Sequence, residues 1–174
     1  KVRDASRELA QPSQATLRLV CSASLAPYMV SRTVAQLYER FPRLQCRVQV
    51  VAPDILNQQL LDRASHLGIA LAPHDHPNLE TVKGYQCGLA CVMRRDHPLA
   101  SDELTLDAYC AAHHLLVSVS GRPFGHVDEG LAALGRTRHI VLTVNQFFTA
   151  GIVVANSDLL TALPRHFLAS TGMA

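Results

Sequence analysis

Between residues 17 and 71 the chain alternates two kinds of apolar pattern, and that alternation limits its fold more than any other feature. Residues 17–21 are a short, mostly apolar run, which reads as a buried strand. After Ser22-Ala23-Ser24, apolar residues at Tyr28, Val30, Val34, Leu37, Tyr38 and Phe41 form one helical stripe over about 26–41. Pro27 suits the first turn of that helix and Pro42 stops it. Leu44, Cys46, Val48 and Val50 then alternate with Gln45, Arg47 and Gln49, the period of two of a strand. Ala52-Pro53-Asp54 turns into a helix carrying Ile55, Leu56, Leu60 and Leu61, with Asp54 as its N-cap. Residues 67–71 are a third strand, ended by Pro73. Strand, helix, strand, helix, strand predicts a parallel sheet with crossover helices.

The same order returns in residues 115–164. A strand over 115–119 leads through Ser120-Gly121-Arg122-Pro123-Phe124-Gly125 into a helix over about 126–134. A strand over 140–144, a helix over 147–155 and an apolar run to Pro164 follow. Between the two halves lie a loop over 74–78, strands predicted at 79–82 and 88–93, a polar turn at 94–98, and a short helix over 104–110 begun near Ser101 or Asp102. Two similar halves joined near residues 88–94 predict two small α/β lobes with a cleft between them, lobe I over 15–88 and lobe II over 89–170. The polar residues 1–14 stand outside both, as the remnant of a linker.

Composition narrows the function. With 174 residues, 17% charged and 48% hydrophobic, the chain has a globular balance and room for one or two domains. A net charge of +2 is too weak for direct nucleic-acid binding, which needs a clustered basic surface. No apolar run reaches the ~18 residues of a membrane span, and residues 1–14 contain no secretory h-region. The five cysteines, Cys21, Cys46, Cys87, Cys91 and Cys110, are odd in number, and four lie in apolar strand-like runs. Buried free thiols in a reducing, cytoplasmic setting follow from that.

A strand, a polar loop and a helix start together gather an anion at backbone N–H groups. Ser22 and Ser24 sit at such a point and either contact a ligand carboxylate or simply cap the helix. On the matching loop of the second half, Arg122 can pair with a carboxylate bidentately and Phe124 can stack on a ring; otherwise they are a solvated Arg and a core Phe. Asn145 and Phe147 close the next strand and open the next helix. Phe147 and Phe148 cannot share a helical face, so one faces the core and the other faces a cleft or a subunit interface. His74-Asp75-His76 carries zinc-type ligands but has no third ligand at motif distance, and Cys87-x3-Cys91 is not zinc-knuckle spacing; no metal is expected. Neither a Gly-x-Ser-x-Gly elbow, a phosphate loop nor a His-Glu-x-x-His motif occurs, so the chain reads as a ligand holder without catalysis or cofactor.

The chain resembles the effector-binding domain of LysR-type transcriptional regulators. The matching pieces are Leu17-Arg18-Leu19, the helix end from Tyr38 to Pro42, Leu67-Gly68-Ile69-Ala70, Arg95-Asp96-His97-Pro98-Leu99-Ala100, and Leu104-Thr105-Leu106-Asp107. Pro123-Phe124-Gly125-His126-Val127-Asp128-Glu129, and the stretch from Ser157 to Pro164, are similar to the branch of nodulation and aromatic-degradation regulators. Order and spacing across most of the chain carry the match. The resemblance implies two Rossmann-like lobes with a central cleft, like a type 2 periplasmic binding protein. It implies a small aromatic or carboxylic inducer in that cleft, and pairing into a homodimer or homotetramer through the helix of Tyr28, Val34 and Tyr38. It further implies DNA binding by an N-terminal winged helix-turn-helix domain that is not in this sequence, and a return segment to lobe I that is absent after Pro164. Among site residues it implies Ser24 as the ligand-contacting serine and His74 at the pocket end of the third strand. Two departures stand out: His66 where the family usually has Asp, and Pro53 where some relatives place a Thr that touches the inducer. The competing readings are a solute-binding protein of a transport system and an assembly module with no inducer.

Overall fold

The computed structural model describes residues 15–70, 76–84 and 86–171. The expected linker remnant, His74 and Asp75 lie outside the described residues. The chain divides into two compact units, Lys1–Gln86 and Cys87–Ala174.

In the first unit β1 (Thr16–Cys21) is followed by a π-helical turn (Ala26–Val30) that runs straight into α1 (Ser31–Arg40). β2 (Gln45–Val50), α2 (Pro53–Leu61) and β3 (Leu67–Ile69) complete it. The sheet order is β2-β1-β3, with β1 parallel to both neighbours. Right-handed crossovers in that order put α1 and α2 on opposite faces. The central strand therefore takes the burial: Leu19, Val20 and Cys21 are core residues, joined by Leu25 and Leu56. Gly68 lets α2 lie close on β3, since a Cβ there would come within 2.9 Å of both Leu56 Cδ2 and Leu60 Cδ1. β2 is an edge strand of this sheet, and its Val48 and Val50 are exposed.

The second unit comprises β4 (Leu89–Val92), a 3-10 turn (Pro98–Ala100), α3 (Leu106–Ala111), β5 (His113–Val117), α4 (His126–Ala133), β6 (His139–Val144), α5 (Phe147–Ala155), β7 (Leu160–Pro164) and α6 (Arg165–Thr171). Its sheet is mixed, in the order β4-β7-β5-β6, with β4 antiparallel to β7 and the other pairs parallel. Leu115, Leu163, Ala150, Val154 and Phe167 form the core between the sheet and the helices α5 and α6. Phe147 and Phe148 both touch the Phe167 ring, at centroid distances of 5.5 and 5.0 Å, but Phe147 is half-buried against the core and Phe148 is exposed.

Several expectations are corrected. Residues 79–82 are not a strand: Leu79 N–H closes a turn on the His76 carbonyl, and Val82 is 81% exposed. Leu79 and Val82 are three apart, which is not strand spacing. α2 starts at Pro53 with Ala52 in the cap position, so Asp54 is not its N-cap. α3 is capped by Thr105, whose hydroxyl accepts from Ala108 N–H at 3.2 Å, rather than by Ser101 or Asp102. All five cysteines are free, yet only Cys21 is fully buried; Cys87 and Cys91 are exposed. Among the described residues no helix is long and apolar enough to cross a membrane.

Candidate functional site

Parallel α/β sheets gather their loops at the carboxyl ends of the strands, and ligands bind there. In the first unit β1 ends at Cys21, and Ser22 and Ser24 follow directly. Ser22 N–H donates to the Ile69 carbonyl at 3.0 Å and its own carbonyl accepts from Leu25 N–H at 3.0 Å, so the turn is pinned to β3 and to the helix it opens. Both serines are buried, Ser24 to 1% exposure. The π-helical turn behind them is unusual in itself, since such turns are rare and concentrate at functional places. Pro53 stands three residues past the end of β2, as the first residue of α2. The described site residues of this unit thus share one end of one sheet.

The second unit repeats the arrangement. β5 ends at Val117, and the loop carrying Arg122 and Phe124 leads to α4; both side chains are exposed. β6 ends at Val144, with Asn145 next and Phe147 at the start of α5. Ser118 N–H donates to the Val144 carbonyl at 2.8 Å and ties the two strand ends together. Asn145 is exposed, whereas Phe147 commits much of its ring to the lobe core.

The start of α4 already holds a carboxylate. Asp128 reaches back so that its Oδ2 accepts from Gly125 N–H at 2.8 Å. Arg138, just ahead of β6, grips the same carboxylate with Nε to Oδ1 at 2.7 Å and Nη2 to Oδ2 at 2.9 Å. Its Nη1 also donates to the Tyr109 hydroxyl at 3.1 Å. Burial alone would raise the Asp128 carboxyl; the Arg138 guanidinium and the Gly125 N–H overcome it and leave it below the ordinary carboxylate range. Sequence reasoning missed Arg138. It lies ten residues from Asp128 with no local motif to join them, and only an Arg directly before an apolar strand hinted at a buried partner.

His114 lies beside this group. Its Nε2 hydrogen-bonds the Tyr109 carbonyl at 2.7 Å and its ring packs 4.5 Å from the Tyr109 ring. Among the described residues no group of three or more His, Cys, Asp or Glu side chains could hold a metal ion, and His76 instead accepts Asn78 N–H on Nδ1. The strand ends of the first unit thus carry two buried hydroxyls, and those of the second carry an exposed guanidinium and an exposed ring.

Comparison with known proteins bears on the family and the fold. The HTH-type transcriptional activator NahR of Pseudomonas putida is 27% identical over 139 residues, covering 79% of this chain and 46% of that protein. The chain thus spans less than half the length of that relative. The crystal structure of the regulatory domain of MexT, a transcriptional activator in Pseudomonas aeruginosa, superposes with a TM-score of 0.72 at 26% identity, over 91% of this chain and 76% of that one. The BenM effector-binding domain with its effector benzoate shares the fold, with a TM-score of 0.77 at 17% identity over 93% of this chain and 73% of that one. A family model described as the LysR substrate-binding domain matches residues 10–172, and the chain belongs to that family.

Proposed function

We propose that this chain is the effector-sensing part of a LysR-type transcriptional regulator that acts in the cytoplasm without catalysis. It binds a small aromatic or carboxylic inducer with the loops that follow the carboxyl ends of its strands. The observation that carries this reading is the placement of Ser22, Ser24 and Pro53 at that end of one sheet and of Arg122, Phe124, Asn145 and Phe147 at that end of the other. In the longer protein, a helix-turn-helix domain would contact DNA. A relative named as a helix-turn-helix activator supports this over a transport protein. An effector can shift such a regulator only by preferring one of its states.

Self-association into a homodimer or homotetramer belongs to the same proposal. It is supported by apolar side chains left exposed on the edge strands β2 and β6, Val48, Val50, Val141 and Leu142, and on α1 and α5, where Tyr38 and Ile152 are 70% and 62% exposed. Tyr38 belongs to the helical stripe singled out from the sequence; Tyr28 and Val34 are half-buried.

The test is a thermal-shift panel of aromatic and aliphatic carboxylates and phenols. A ligand at ~100 times its dissociation constant adds about 2.7 kcal/mol of stability. Ser24→Ala and Arg122→Gln are expected to shrink the shift while leaving the unliganded melting temperature within a few degrees. A bulky residue at Ser24 is the wrong probe, because the site is buried. Silence across the panel, or a hit indifferent to both variants, rejects the assignment.

A further inference from the structure

The loop that carries Arg122 and Phe124 is held from behind by a buried ion pair in the same unit. The Arg138 side chain is 2% exposed and that of Asp128 is 18% exposed, so the pair is well removed from water. Two parallel N–H···O bonds join them in the fork geometry that fixes orientation as well as distance. The Asp128 oxygen that accepts from Arg138 Nη2 also accepts from Gly125 N–H, the last residue of the loop. Tyr109 of α3 holds the far side of the guanidinium. A continuous line of hydrogen bonds therefore runs from α3, through the residue before β6, to the base of the loop. The other end of the loop is set by Gly121, which adopts φ +75° and donates to the Ser118 carbonyl.

A helix cap needs no buried cation: an Asp in water would bond Gly125 N–H equally well. The guanidinium adds a fixed direction for the carboxylate, and through it a fixed position for Gly125. We propose that Arg138 is a positioning residue for the effector contacts: acting through Asp128, it sets where the 120–125 loop leaves the sheet and so where Arg122 and Phe124 are presented. This rests on the reading of that loop as an effector contact.

The experiment is amide hydrogen exchange on the whole chain in three variants, alongside titration of wild type and variants with benzoate and the other carboxylates of the panel. Arg138→Lys keeps the charge but loses the fork. Asp128→Asn keeps an acceptor for Gly125 but loses one of the two bonds to Arg138. Asp128→Ala loses both. In Arg138→Lys the Gly125 amide is expected to exchange about tenfold faster, with the Leu115, Leu116 and Val144 amides near their wild-type rates, because a local opening leaves the sheet intact. Binding of the best carboxylate should weaken about tenfold in step with that opening. Asp128→Asn should fall between wild type and Asp128→Ala on both readouts, which keeps the comparison decisive if Arg138→Lys folds poorly. Unchanged Gly125 exchange overturns the proposal. So does acceleration of all sheet amides by one common factor, which marks a purely structural pair, or local opening with unaltered affinity. Failure of every carboxylate to bind the wild-type chain defeats the effector reading alone; exchange at Gly125 still decides whether Arg138 fixes the loop.

Discussion

His114 is a buried side chain whose protonation opposes folding of the second unit. Its Nε2 lies 2.7 Å from the Tyr109 carbonyl and so carries the proton, which leaves Nδ1 as a bare acceptor with no partner among the described residues. Burial pushes the imidazole below its ordinary range, the Tyr109 carbonyl holds it up in part, and the Arg138 charge lowers it further; Asp128 and His113 are the other charged or titratable groups that face it. With the folded pKa below the unfolded value, the unfolded chain binds more protons on acidification. The contribution of His114 to stability is therefore full above about pH 6.5 and falls as pH drops below it. Asp128 acts in a separate window: its depressed carboxyl gives stability that is lost only below about pH 4. Melting temperatures from pH 7.5 to 5 should decline in wild type and flatten in His114→Gln, which retains a donor for Tyr109. An equal decline in both would assign the effect elsewhere. The sequence offered nothing for this. It placed the strand start at Leu115, and a His followed by apolar residues reads as a loop end until the sheet extends β5 back over it.

Helix α4 shows what a sequence can and cannot reveal about an element. Its start and length, His126 to Ala133, were legible, because apolar Val127 and Leu131 share a face and Asp128 and Glu129 occupy the first turn. Its end rests on Gly135, at φ +65°: Gly135 N–H donates to the Ala132 carbonyl at 3.0 Å and Arg136 N–H to the Leu131 carbonyl at 2.9 Å, a Schellman closure. Gly130 lies inside the helix, and beyond the helix's own backbone nothing lies within 4 Å of the place its Cβ would occupy. Two identical substitutions should thus have opposite signs. Gly130→Ala is expected to stabilise by about 0.5–1 kcal/mol, through helix propensity and a less disordered unfolded chain. Gly135→Ala should destabilise by roughly 1–2 kcal/mol, because an L side chain is strained at positive φ. Urea unfolding of the two variants checks both; a shared sign would contradict the cap. Caps at α2 and α3 were misplaced from sequence for a related reason. Asp54, Ser101 and Asp102 are good capping types, but Pro53 already fixes the first turn of α2 and Thr105 stands one residue before α3.

At the scale of the molecule, the two repeats of strand and helix were legible, because parallel strands must be joined by helices and the two apolar periods differ. The position of β4 was not: antiparallel pairing with β7 joins residues about seventy apart, Leu89 with Pro164, and no local pattern encodes it. Nor did alternation in β2 reveal burial, since period two marks a face without saying what covers it. Val48 and Val50 have the pattern of core residues, yet stand exposed on an edge strand. Edge strands with apolar side chains invite pairing, and proteins that keep them use them or guard them with charge. β2 has Arg47 as its only charged residue, and β6 has none, bearing instead Ile140, Val141, Leu142 and Val144. Such edges, together with the exposed Tyr38 and Ile152, are what an assembling domain leaves uncovered. Val50→Lys and Ile152→Lys each put a charge at a side chain that is already in water, so stability should change by no more than about 0.5 kcal/mol. Burial of a lysine in an interface, by contrast, leaves an unpaired charge that costs several kcal/mol. In sedimentation velocity the wild-type chain should run as a dimer or larger at tens of micromolar, and each variant should shift toward monomer. A wild-type chain that stays monomeric across that range would remove self-association from the role of this domain and leave the exposed edges to another partner. Dissociation by Val50→Lys alone would confine the contact to the first unit.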